Sequence, residues 1–123
     1  MESVSKSFTV TRSLALNKEK RGALIGLKGF IAGKIINLDS DRYIVVGRDS
    51  AQCEVVIKGD SVSRVHLRIR YNSATGDYSI MDCKSKNGVV VDGKYKLKPE
   101  VDVSVKSGSR IWVGNSENEL VLG

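Results

Sequence analysis

Three short segments of the chain carry groups able to gather around an anion. Gly47-Arg48-Asp49-Ser50 sets a guanidinium directly after a glycine that lets the backbone turn. Ser61-Val62-Ser63-Arg64-Val65-His66 places hydroxyls, a second guanidinium and an imidazole within six residues. Asp82-Cys83-Lys84-Ser85-Lys86-Asn87-Gly88 ends on an Asn-Gly pair, a turn signal that permits positive φ. Each segment alone is commonplace in β proteins. Together they supply guanidinium, hydroxyl and carboxamide donors, the set that a tetrahedral dianion takes. A phosphorylated side chain, with about −1.5 to −2 charges at neutral pH and three strong acceptor oxygens, has that chemistry.

Such groups converge only if the elements between them are short and rigid, and the sequence is punctuated accordingly. Gly, Asn, Asp and Ser clusters separate short apolar runs, twelve glycines stand against one proline (Pro99), and no stretch reads as a convincing helix of ten residues or more. Val65, Leu67, Ile69 and Tyr71 alternate with His66, Arg68 and Arg70, and Val101, Val103 and Val105 with Asp102, Ser104 and Lys106. Period two means strands with one buried face. Strands are expected near residues 23–28, 34–38, 42–47, 54–57, 65–72 and 77–82, then 89–91, 94–97, 101–105, 110–113 and 119–122. Turns such as Ala74-Thr75-Gly76-Asp77 and Val91-Asp92-Gly93-Lys94 join them. The fold class is all-β, a sandwich of about eleven short strands. Binding residues on such a sandwich sit in loops at one end, held by the scaffold.

The composition agrees with one small core. The chain has 123 residues, 41% of them hydrophobic and 28% charged, the balance of an ordinary globular domain. Its apolar stretches fall far short of the roughly 20 residues that span a bilayer. The first twenty residues carry Glu2, Lys6, Arg12, Lys18, Glu19 and Lys20 without an apolar run, so neither a secretory signal nor a membrane is expected, and the address is read as cytoplasmic. Cys53 and Cys83 lack redox or disulfide spacing and read as two buried thiols, and with His66 they fall short of a zinc ligand set. No metal or cofactor is expected. Residues 1–21 read as a polar tail and 22–123 as the domain; alternation of Phe8 and Val10 with Thr9 and Thr11 would let the tail add an edge strand, and 16–21 a turn of helix.

The order Gly-Arg, Ser-Arg-Val-His, Asp-Cys-Lys-Ser-Lys-Asn-Gly and then Asp92-Gly93 resembles the forkhead-associated (FHA) domain family. The similarity runs from about Ala23 to Gly123. It takes in Leu27-Lys28-Gly29 with Gly33 and Leu38, and Lys106-Ser107-Gly108-Ser109-Arg110-Ile111 with Val113-Gly114. The resemblance implies an eleven-stranded sandwich of two twisted sheets that binds phosphothreonine peptides and is not an enzyme. Carried over by position, Arg48 and Ser63 would hold the phosphate and Asn87 the peptide backbone, with Arg64 a further cation. His66 would brace the serine loop, and Gly47 and Gly88 would serve backbone geometry. Two departures stand out: Val89 follows the Asn-Gly where many members have threonine, and Lys86 precedes the asparagine, adding a cation if it bends toward the pocket.

The partner implied is a phosphothreonine-bearing protein or peptide, or the chain's own tail phosphorylated at Thr9 or Thr11 and folded back at high effective concentration. Other readings compete. A net charge of +6 with Lys84, Lys86, Lys94, Lys96 and Lys98 near one another suggests a nucleic-acid-binding β domain, but aromatics make up only 6% of the chain, too few for a base-stacking platform, and no nucleic acid is expected. Cys83 or Ser63 with His66 would need a third group to orient the imidazole, and the sequence shows none. Arg48 could instead pair with Asp49 on the surface, or the fold could serve as a phospho-independent assembly surface.

Overall fold

Residues that alternate in the sequence turn alternate sides to a shared core in the computed structural model. It describes residues 21–123 and, before them, only the backbone of two paired two-residue strands, Glu2–Ser3 and Ser5–Lys6. The folded body contains β1 (Gly22–Lys28), β2 (Ile35–Leu38), β3 (Ile44–Gly47), β4 (Val55–Val56), β5 (Leu67–Asn72) and β6 (Asp77–Asp82). It continues with β7 (Val89–Val91), β8 (Tyr95–Lys96), β9 (Val103–Val105), β10 (Arg110–Val113) and β11 (Glu119–Leu122). Six strands form one sheet in the order β8-β7-β10-β11-β1-β2, and five the other in the order β9-β6-β5-β3-β4. Neighbours run antiparallel except β3 and β4, which pair in parallel. No helix of the described residues is long and apolar enough to cross a membrane.

Leu24, Val46, Leu67, Ile69, Ile80, Ile111 and Leu122 fill the space between the sheets. Burying each such side chain contributes about 1.5–3 kcal/mol relative to leaving it in water. Tyr78 is fully buried, yet its phenol is satisfied: it accepts from Ala23 N–H at 2.9 Å and donates to the Gly123 carbonyl at 2.6 Å, tying the chain end to β1. Its ring meets Tyr71 edge-on, with centroids 5.2 Å apart.

The expected strands lie within one or two residues of those observed, and two local readings change. Val65 is only half-buried and His66 is fully buried, because β5 begins at Leu67 and the backbone before it turns the imidazole inward. Val101 is exposed: Glu100 takes a left-handed φ of 63° and gives its N–H to the Asp82 carbonyl, so regular pairing starts only at Val103. Of the two thiols, Cys53 is buried and Cys83 half-buried. Tyr71 and Tyr78 are buried, whereas Phe30 and Tyr95 are exposed. The edge strand at Phe8–Thr11, the tail threonines Thr9 and Thr11 and, apart from Arg21, the helical turn over 16–21 lie outside the described residues.

Strand direction fixes which loops meet. The C-terminal ends of β3, β4 and β6 lie beside the N-terminal end of β5, because β3 pairs antiparallel with β5 and parallel with β4, and β6 pairs antiparallel with β5. In the second sheet, Val113 closes β10 opposite Val89, which opens β7, and Lys96 closes β8 opposite Val90. The chain passes from one sheet to the other through residues 83–88, which bring the two sets of ends together.

Candidate functional site

Residues 46–49 and 62–66 run alongside each other as a hydrogen-bonded pair of loops. Arg48 N–H donates to the Ser63 carbonyl at 2.9 Å, Asp49 N–H to Arg64 at 3.2 Å and His66 N–H to Val46 at 2.9 Å. Gly47 makes this approach feasible: a Cβ there would lie 2.2 Å from the Arg64 carbonyl oxygen and 2.9 Å from Cys53 Sγ. The Cys53 thiol in turn donates to the Arg64 carbonyl at 3.0 Å, and burial pushes its pKa up, so it acts as packing beneath the loop.

Arg48 is held by its side chain as well. Its Nε–H donates to the Val62 carbonyl at 2.9 Å, which leaves both terminal amino groups without a hydrogen bond among the described residues. Arg48 and Arg64 line an open cleft of about 540 Å³ with Asp49, Ser50, Lys58, Gly59 and Asp60. Asp49 forms no ion pair with Arg48. Its carboxylate accepts from Gln52 Nε2 at 2.6 Å and Ala51 N–H at 2.9 Å, and these bonds hold its pKa below the ordinary carboxylate range.

The hydroxyl of Ser63 accepts from the Lys86 backbone N–H at 2.9 Å, leaving its own proton free to donate. The Ser63 N–H donates to His66 Nδ1 at 3.0 Å, and His66 Nε2–H donates to the Gly88 carbonyl at 2.7 Å. With a donor on one ring nitrogen and an acceptor on the other, the imidazole is the neutral Nε2–H tautomer. Burial lowers the His66 pKa, against opposing effects from the Gly88 carbonyl and Asp82. No ring lone pair remains for the Ser63 hydroxyl, so the pair does not form a nucleophile and its base.

Asn87 is anchored to the same segment, its Nδ2 donating to the Ser61 carbonyl at 3.0 Å. The loop carrying it is braced internally by Ser85 N–H on the buried Asp82 carboxylate at 2.8 Å and by Gly88 N–H on Ser85 Oγ at 2.9 Å. Thus Arg48 and Asn87 both attach to residues 61–66, the segment that carries Ser63. Arg64 shares the Arg48 cleft, whereas Ser63, Lys86 and Asn87 do not line it, and the Lys86 side chain stays exposed.

Motif reading missed Lys58 in the cleft, and it took in Gly114 only as part of the family resemblance, without its place beneath the loop. Gly114, at φ 88°, packs against Ser61, where a Cβ would lie 2.4 Å from the carbonyl oxygen, and its N–H joins His66 on the Gly88 carbonyl. Its sequence signals are the Val113-Gly114 pair of the resemblance and a glycine directly after the apolar β10. Gly114→Ala is expected to lower stability by about 1–3 kcal/mol through backbone strain alone and to displace the Ser61–Ser63 loop. Denaturant unfolding checks the first, and amide chemical shifts of residues 61–66 the second.

The FHA domain family model matches residues 44–114, which hold all three segments. The chain belongs to the FHA domain family. An FHA domain-containing protein of Arabidopsis thaliana is 33% identical over 98 residues, 80% of this chain but 25% of that protein, so the chain spans about a quarter of its length. The FHA domain of the CT664 protein from Chlamydia trachomatis is 29% identical with a TM-score of 0.72, covering 84% of this chain and 96% of that one. The N-terminal FHA domain of Rad53p from S. cerevisiae, solved with a phosphothreonine peptide, shares the fold at 23% identity and a TM-score of 0.68, covering 83% and 91% of the two chains. The two-sheet architecture is thus that of FHA domains.

Proposed function

We propose that this FHA domain is a phosphothreonine-peptide-binding interaction module that carries out no reaction of its own. One observation carries the reading: the Arg48 guanidinium is fixed at the Val62 carbonyl, next in the chain to the Ser63 hydroxyl, and both keep unused donors. Such donors suit a phosphate because charge-assisted hydrogen bonds are shorter and roughly twice as strong as neutral ones. They are also held in place before the ligand arrives, which reduces the ordering cost of binding. Arg64 adds charge from the neighbouring position, and Asn87 supplies a carboxamide beyond Ser63 for the ligand backbone. The binding of a phosphothreonine peptide by the Rad53p domain supports the same role here.

The test is titration of matched phosphothreonine, phosphoserine and unmodified peptides. Equal affinity for all three would overturn the reading, and steeply salt-dependent binding to unmodified oligonucleotides would replace it with nucleic-acid recognition. Ser63→Ala is expected to weaken phosphothreonine binding about tenfold or more, since a hydrogen bond to a charged group contributes about 1.5–3 kcal/mol. It also leaves the Lys86 N–H without its acceptor. Isothermal titration calorimetry measures the loss.

A further inference from the structure

Lys96 closes β8, paired with Val90, at the same end of the sandwich as the candidate site. Its side chain runs back over the Asn87-Gly88 turn: a Cβ built on Gly88 would meet Lys96 Cε at 2.7 Å and Nζ at 3.5 Å. Residue 88 has a φ of 87° and no side chain, so the lysine stem occupies the space a Cβ would take. The ammonium therefore lies beside the turn that presents Asn87. It has no ion pair or hydrogen bond among the described residues.

The two flanks of the site differ in charge. Around Arg48 and Arg64, the carboxylates Asp49 and Asp60 accompany the cations. Around Asn87, Lys84 and Lys86 are exposed, and the one carboxylate of that loop, Asp82, is buried with Oδ1 taken by Ser85 N–H. An ammonium is a compact charge with three rotatable donors, so it accepts a carboxylate or a phosphate without demanding one geometry.

We propose that Lys96 is a specificity-determining residue that receives a second anionic group of the ligand, a carboxylate or a further phosphate on a residue flanking the phosphothreonine. The proposal rests on the phosphothreonine reading of the site. The experiment uses Ala/Gly-based peptides with one phosphothreonine, each flanking position replaced in turn by Glu, Gln, Lys or phosphoserine, titrated against the wild type, Lys96→Met and Lys96→Glu. Methionine keeps the stem over Gly88 and removes the charge.

The wild type is expected to favour Glu over Gln at one or more flanking positions by about two- to fivefold, the range of an exposed ion pair. A larger gain with phosphoserine identifies a second phosphate as the natural group, and an equal or smaller one a carboxylate. Lys96→Met abolishes the preference and Lys96→Glu turns it toward Lys, while both keep their discrimination of phosphothreonine from threonine. Should Lys96→Glu fail to fold, Lys96→Met decides alone. Phosphothreonine binding with no flanking charge preference, or a preference that survives in Lys96→Met, overturns the proposal. Failure of the wild type to distinguish phosphothreonine from threonine overturns the underlying reading instead.

Discussion

Replacing Arg48 with alanine is expected to weaken phosphothreonine-peptide binding about ten- to a hundredfold, the equivalent of one charge-assisted hydrogen bond. The side chain has two tasks. Its Nε–H holds the Val62 carbonyl, and its two amino groups, without a hydrogen bond among the described residues, are the donors that the proposed function assigns to the phosphate. Alanine removes both. Arg48→Lys restores the charge but not the affinity, because a single ammonium cannot hold the carbonyl and also present a planar pair of donors. Calorimetric titration of wild type and both variants with one phosphothreonine peptide checks the order wild type, lysine, alanine. Equal affinity of alanine and wild type would remove Arg48 from the site.

His66→Ala is expected to lower unfolding stability by about 3 kcal/mol or more, a large share of the roughly 5–15 kcal/mol available to a domain. The imidazole is fully buried, so its loss leaves a cavity and strips the Ser63 N–H of its acceptor. Binding falls with stability, since the same bond positions the Ser63 loop. A urea-unfolding loss below 1 kcal/mol would show that the ring is not the brace described.

A pH dependence follows from the same residue. Burial lowers the folded-state pKa of His66 below its unfolded value near 6.5. As pH falls through that window the unfolded chain takes up a proton that the folded chain refuses, so stability is full above the unfolded pKa and declines from pH 7 toward 5. Asp41, Asp49 and Glu54, whose folded pKa values are lowered by hydrogen bonds, withdraw stability only at still lower pH, in the carboxylate range. Urea titrations at pH 7.5 and 5.5 isolate the histidine contribution. A His66→Phe variant should lose most of the difference between them.

The strands were legible because alternation and turn residues are local properties. Leu67, Ile69 and Tyr71 face the core as their spacing requires, and β6, β7, β10 and β11 have the bounds expected from alternation and turn residues. The phase broke at Val65-His66, where a hydrogen-bonded loop outweighs the period-two pattern and buries the polar residue instead of the apolar one. A strand pattern carries no information about a ring that finds partners 3 and 22 residues away. Val101 failed to join its strand for a similar reason, the left-handed turn at Glu100 being imposed by the Asp82 carbonyl.

By itself the sequence determined the all-β class, the approximate strands, the order of the candidate anion-binding motifs and the family that the order resembles, because each is written in neighbouring residues. Only the tertiary structure decided how those motifs are used. It placed Arg48 on the Val62 carbonyl, occupied both nitrogens of His66, set Gly114 under Ser61 and laid Lys96 across Gly88. These contacts join residues far apart in the chain, and their geometry depends on strand register and on the absence of a Cβ at a few close approaches, neither of which residue order alone contains.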